Sequence, residues 1–140
     1  MEILSSNGAI LYSMKQYEEA LPYYKKVIAA MNTTGQLQDK SIKTKIFYST
    51  ARVLTRLGEL EESTDYCLKA IKWCFEEELL WGLGELHYQI GYNFELKKDY
   101  VQALPYFRHA LHMFEIRKDE PYVSFLIPKI EEIAQKIDPA

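Results

Sequence analysis

The sequence predicts an all-α fold: about three copies of a helix pair, followed by a capping helix. Three observations predict it. Breakers are scarce, with Gly 6 and Pro 5 in 140 residues, about 8% against the roughly 12% usual in soluble proteins. Tyr 11 outnumbers Phe 6 and Trp 2 together, which suits helices with half-polar, contact-ready faces. A nine-residue stretch also recurs 83 residues further on. Gln16-Tyr17-Glu18-Glu19-Ala20-Leu21-Pro22-Tyr23-Tyr24 returns as Asp99-Tyr100-Val101-Gln102-Ala103-Leu104-Pro105-Tyr106-Phe107, with six of nine positions identical or one aromatic exchanged for another. Internal repeats of this kind decide a fold.

The repeat divides a single domain, 1–140, into units of about 1–40, 41–82 and 83–119, with a cap at about 120–138. The first helix of each unit carries large, small and large residues at i, i+4 and i+7: Leu4, Gly8, Leu11; Phe47, Ala51, Leu54; His87, Gly91, Phe94. These lie on one helix face, and the small residue lets a partner backbone approach. The second helices carry Ala20, Tyr24, Val27; Ser63, Cys67, Ala70; Ala103, Phe107, Ala110. Bulk on one helix then meets a small residue on its partner, as close packing requires. Turns fall at Lys15-Gln16, at Leu57-Gly58-Glu59 and at Lys97-Lys98-Asp99, where Gly58 suits a helix C-terminus and Asp99 an N-cap.

The remaining segments follow from the same rules. Met31-Asn32-Thr33-Thr34-Gly35-Gln36 reads as the loop joining the first two units. Residues 60–80 read as one long helix ending near Trp81-Gly82-Leu83-Gly84. Pro22 and Pro105 fall in early turns of second helices, where a missing N–H costs little. Asp119-Glu120-Pro121 starts a helix, expected to run from Tyr122 to Ile137, to bury Phe125, Ile130, Ile133 and Ile137, and to kink at Pro128. That helix covers the last repeat, as stacked repeats require. At the other end the first helix begins at residue 2 or 3 without a polar cap, so an uncovered edge is expected there. Either the chain is part of something longer, or that edge packs on a second copy to form a homodimer or a self-associating scaffold.

The small residue of the first helix, the Tyr-x-x-Ala-Leu-Pro-Tyr-Tyr/Phe start of the second and the later small residue resemble the tetratricopeptide repeat (TPR) family, over roughly residues 2–117. The resemblance implies a right-handed α-solenoid that binds a protein or peptide in its concave face. Unit two departs from the pattern, with Ser63 and Cys67 in place of alanine and an aromatic. Units of 40–43 residues exceed the usual TPR length. Long, degenerate repeats of this texture are similar to the peptide-sensing regulators of Gram-positive bacteria, the Rap, PlcR and Rgg group. That implies a quorum-sensing module of a transcription regulator whose DNA-binding part lies outside these residues. A Rap-like response-regulator phosphatase is the alternative, and it needs a further helical module.

In such stacks the first helices line the concave surface. One residue past each packed position gives Ser5, Ala9, Tyr12; Tyr48, Arg52, Thr55; Tyr88, Tyr92, Glu95. The candidate ligand site is therefore Tyr12, Tyr48, Arg52, Thr55, Arg56, Tyr88, Tyr92 and Glu95. Arginine grips a carboxylate through two parallel hydrogen bonds, and tyrosines add rigid apolar area with a hydroxyl. An extended peptide with an acidic group or its C-terminus at Arg52 suits this face. Chaperone-tail-binding repeats use lysine and asparagine on these faces, which argues against that ligand; Asn93 lies beside the ladder.

Charge and composition exclude other classes. Lys+Arg 17 against Asp+Glu 20 gives −3, and a pI near 5.7 leaves no basic footprint for nucleic acid. Apolar runs such as Leu79-Leu80-Trp81 are too short to span a bilayer, and Glu2 near the start is unlike a secretory leader. Cys67 and Cys74 lie seven residues apart, about 10 Å along a helix and too far for a disulfide. They read as reduced core thiols of a cytoplasmic protein. His109, His112 and Glu115 have possible metal spacing but read as solvated surface, and His87 reads as a packing histidine. No nucleophile motif or phosphate-cradling loop occurs. The expectation is a non-enzyme without cofactor or metal.

Overall fold

The structure is a computed structural model that describes residues 16–34, 40–80 and 82–138. Among them are six helices and no strand: α1 (Tyr17–Thr34), α2 (Lys40–Arg56), α3 (Leu60–Glu76), α4 (Leu83–Leu96), α5 (Tyr100–Arg117) and α6 (Glu120–Ile137). The all-α expectation holds. The chain divides into two compact units, residues 1–81 and 82–140. The expected helix around Leu4, Gly8 and Leu11, its uncovered edge and most of the first loop lie outside the described residues.

In the first unit α2 packs against α1 on one side and α3 on the other. Ala20 and Tyr24 of α1 and Val53 of α2 form one buried cluster, with Tyr17, Leu21 and Leu57 packed against it. The α2–α3 pair closes around the predicted faces: Phe47, Ala51, Leu54, Ser63, Cys67 and Ala70 are all buried. Unit two diverges here, and the divergence is accommodated by hydrogen bonds. Ser63, in the alanine position, donates to the Ala51 carbonyl at 2.8 Å and lies 2.8 Å from the Thr55 hydroxyl. Its single proton being used on Ala51, Ser63 accepts from Thr55. A hydroxyl buried without such partners would cost about 1–3 kcal/mol. At the far end of the pair Trp73 Nε1 donates to the Lys40 carbonyl at 2.9 Å.

The second unit is α4, α5 and α6. A Cβ built on Gly91 would lie 3.0–3.2 Å from the Phe107 ring, and one on Gly84 would lie 3.0–3.2 Å from Phe114. The small-against-bulky expectation is met by direct ring-to-backbone contact. Ala103, Phe107, Ala110 and Phe114 form the floor on which Leu126 and Ile133 of α6 are buried. Tyr122 stacks on Phe114 at 4.2 Å and 3°. The expected stripe of the capping helix holds at Ile133, which is buried, and at Ile130, packed on the same core, but fails at its ends: Leu126 is buried in place of Phe125, which is 49% exposed, and Ile137 is 39% exposed. The period that runs Val123, Leu126, Ile130, Ile133 points at the core, and Phe125 falls beside it. The helix continues through Pro128.

The helix ends show why two further expectations need correction. Gly58 has φ +83, its N–H bonds Thr55 and the next N–H bonds Leu54, the six-to-one closure of a Schellman turn. Lys98 and Lys118 make the same turn with φ 61 and 59. Glu78, at φ 55, lets Leu79 N–H reach the Cys74 carbonyl. This turn ends α3 at Glu76 rather than near residue 80. Pro22 and Pro105 sit at the sixth residues of α1 and α5, deeper than the first turn, and both are exposed. Asp99 and Asp119 cap α5 and α6 by accepting from Gln102 and Tyr122 N–H.

Two outcomes follow. Nothing lies within 4 Å of a Cβ at Gly58, so Gly58→Ala carries only the left-handed backbone penalty, about 1 kcal/mol, read by urea unfolding. At Gly91 overpacking costs about 1–3 kcal/mol and the better helix former returns about 1. Gly91→Ala therefore destabilises by about 1 kcal/mol, and Phe107→Leu in the same chain reduces that increment in a double-mutant cycle.

Candidate functional site

Three candidate residues share one face of α2 at helical spacing. The Arg52 guanidinium lies 5.6 Å from the centre of the Tyr48 ring, one turn earlier. Arg56 follows one turn on and is exposed, while Tyr48 and Arg52 are half-buried. A guanidinium held against an aromatic face loses less freedom when it takes up an anion, and its planar fork matches a carboxylate. Thr55 does not share this role. It is 7% exposed, and its hydroxyl is engaged by Ser63 inside the α2–α3 pair. A position one past the packed residue faces outward only where the partner helix offers it nothing, and Ser63 offers a hydroxyl. Tyr12 lies outside the described residues.

The other candidates lie on α4 in the second unit. The Tyr88 and Tyr92 rings are parallel, 6.2 Å apart at 6°, so they do form a ladder. Its inner member is also packed: Tyr88 tilts on Phe107 at 5.7 Å and meets Phe125 of α6 edge-on at 5.9 Å. Glu95 Oε2 accepts from Lys129 Nζ at 2.9 Å, and the buried Oε1 has no hydrogen-bond partner. Asn93 is buried. Sequence reasoning missed Phe125 and Lys129, which α6 brings against residues 34 and more positions away; no local pattern announces such a contact. It also missed a cavity in the first unit, rimmed by Lys43, Lys69 and Lys72.

The remaining chemistry-bearing residues are structural. Cys67 and Cys74 are buried thiols, the Cys74 sulfur 3.4 Å from the Thr44 hydroxyl. Burial pushes both thiols up, more than the Thr44 hydroxyl lowers Cys74, which leaves them protonated and poorly nucleophilic. His87 Nδ1 donates to the Leu83 carbonyl at 2.7 Å, and its ring meets His109 edge-on at 5.4 Å. It is the packing histidine the sequence indicates. Among the described residues no three His, Cys, Asp or Glu side chains converge on a metal position, and no helix is long and apolar enough to cross a membrane.

Comparison with known proteins adds the following. The RNPP family C-terminal domain matches residues 1–133. No curated protein sequence matches the chain. Among solved structures, PlcR of Bacillus thuringiensis, determined in complex with the peptide PapR7 and DNA, superposes with a TM-score of 0.81 at 17% identity, over 90% of this chain and 45% of PlcR. BtubC from P. vanneervenii gives 0.79 at 17% identity, over 98% and 55%. The TPR2AB domain of yeast Sti1, in a pHSP90 complex, gives 0.77 at 15% identity, over 99% and 47%. At these identities the likeness is one of fold, a TPR-type helical repeat. The chain spans about half the length of these structures.

The packing histidine carries a pH signature. Burial, with His109 adding to it, lowers the His87 pKa below its ordinary value, against the raising effect of the Leu83 bond. Below about pH 6.5 the unfolded chain binds a proton that folded His87 still refuses. Stability is therefore whole above that pH and falls as pH drops toward the lowered value. His87→Gln removes this loss, so the thermal midpoints of variant and parent differ less at pH 5 than at pH 8.

Proposed function

The chain belongs to the RNPP family, whose C-terminal domain it matches over residues 1–133, and from that premise we propose that it is a non-catalytic, peptide-binding regulatory domain. The observation that carries this reading is the Tyr48–Arg52 arrangement on α2. A guanidinium steadied on an aromatic face, with Arg56 one turn on, suits the carboxylate of an extended peptide. PlcR, solved with a peptide and DNA, supports the analogy, as does Sti1, solved with pHSP90.

The finer reading is the sensor part of a cytoplasmic transcription regulator whose DNA-contacting portion is a separate segment. The net charge of −3 supplies no counterion-releasing patch for phosphates, while the peptide provides the signal. Cys67 and Cys74, both buried thiols, accord with a reducing compartment.

The test is a selection of short peptides with free C-termini against the 140-residue chain, followed by titration of the selected peptide. Arg52→Ala is expected to weaken it by about 1.5–3 kcal/mol, the contribution of a charged hydrogen bond, and C-terminal amidation to act similarly. A dissociation constant unchanged by Arg52→Ala would remove Arg52 from the site, and a library yielding no binder would refute the peptide reading.

A further inference from the structure

The first unit holds a cavity of about 380 Å³ beside Ile28 of α1 and between α2 and α3, within the usual range of small-ligand sites. It is separate from the Arg52 face, since Lys43 at its rim lies nine residues before Arg52, about 13 Å along the helix. Its floor is aromatic. Phe47 is buried and tilts on Tyr66 at 5.7 Å, while Trp73 is fixed by its indole N–H bond to the Lys40 carbonyl. The floor is therefore apolar and already ordered before any ligand arrives.

The rim is cationic. Lys43, Lys69 and Lys72 line it against one carboxylate, Glu76, in a chain whose net charge is −3. Lys43 Nζ sits 4.2 Å from the Trp73 ring centre and 5.7 Å from that of Phe47, and Lys69 Nζ sits 5.5 Å from that of Tyr66. Neither lysine pairs with a carboxylate among the described residues; Lys72 leans toward Glu76 at 3.9 Å. Ring faces orient an ammonium without neutralising it, so two cations are directed over an apolar floor and keep their charge for another partner. The feature that distinguishes this place from an ordinary lysine-rich surface is the coincidence of concavity, ordered rings and unneutralised charge.

We propose that this cavity binds a carboxylate carried on an apolar body, the acid between Lys43 and Lys69 and the apolar part on Phe47, Tyr66 and Trp73. Two sources share that chemistry, a free arylalkyl acid and the C-terminal residue of a peptide. The chain has two tryptophans, so Trp81→Phe leaves Trp73 as the sole indole reporter. In that background, N-acetylphenylalanine, 3-phenylpropionate, N-acetylphenylalaninamide and inorganic phosphate are titrated while Trp73 emission is followed.

A saturable change with the acids, at least about tenfold weaker with the amide, is expected; tenfold corresponds to about 1.4 kcal/mol. Lys43→Met and Lys69→Met each weaken the acids by about tenfold with the helical circular dichroism retained. Should Lys43→Met fail to fold, the exposed Lys69 carries the same test. Binding of both acids marks a free acid as sufficient, and binding of N-acetylphenylalanine alone marks a peptide end. Equal binding of acid and amide, an identical response to phosphate, unaltered affinity in the lysine variants, or no saturable change with any probe overturns the proposal.

Discussion

Two helices can approach to ring-on-backbone distance only where one side chain is nearly absent, and the rest of this structure depends on that constraint. Gly84 and Gly91 give Phe114 and Phe107 direct access to the backbone of α4. With those rings seated, Ala103 and Ala110 lie fully buried on the same face of α5, and that face becomes the floor for Leu126 and Ile133 of α6. In the first unit Ala51 holds the place of Gly91 and Ser63 that of Ala103, and the approach is close enough for the Ser63 hydroxyl to reach the Ala51 carbonyl across the pair. The place of Gly91 is taken by alanine in the first unit, and the place of Ala103 by a hydrogen-bonded serine. The requirement is smallness with every polar atom satisfied, whatever the residue type.

This accounts for what a single sequence reveals. The register of small and large residues is set by local geometry, so Phe47, Ala51, Leu54, Cys67, Ala70, Ala103 and Phe107 could be placed in the core from spacing alone, and all are buried. Helix ends were legible where a glycine or an aspartate marks them, at Gly58, Asp99 and Asp119. The end of α3 was not, because Glu78 adopts a left-handed conformation that nothing in a glutamate announces. At the start of α6 the buried position is Leu126 rather than Phe125 for a similar reason: the two are apolar neighbours, and only the facing surface of α5 selects Leu126. For the candidate site, adjacency along α2 was readable, as the Tyr48–Arg52 contact shows. The engagement of Thr55 by Ser63, of Glu95 by Lys129 and of Tyr88 by Phe125 depends on partners from other helices, whose identity a periodicity does not encode.

The comparisons fit the same account. Identities of 15–17% with PlcR, Sti1 and BtubC accompany TM-scores of 0.77–0.81, so the TPR-type fold is shared where most residues differ. The RNPP family match, over residues 1–133, accords with that fold.

Arg117 illustrates how that scaffold behaves as a unit. Its guanidinium bonds Glu85 in the first turn of α4 and Asp119, the N-cap of α6, while lying 4.9 Å from the Phe114 ring. One side chain at the end of α5 thus touches the helix before it and the helix after it. For α6 to detach, the N-cap, the ion pair and the Tyr122 stack on Phe114 must all be given up within a few residues of one another. Release of the first turn of α6 is thereby coupled to the end of α5 and the start of α4, and that end of the helix shares the opening equilibrium of the pair it covers.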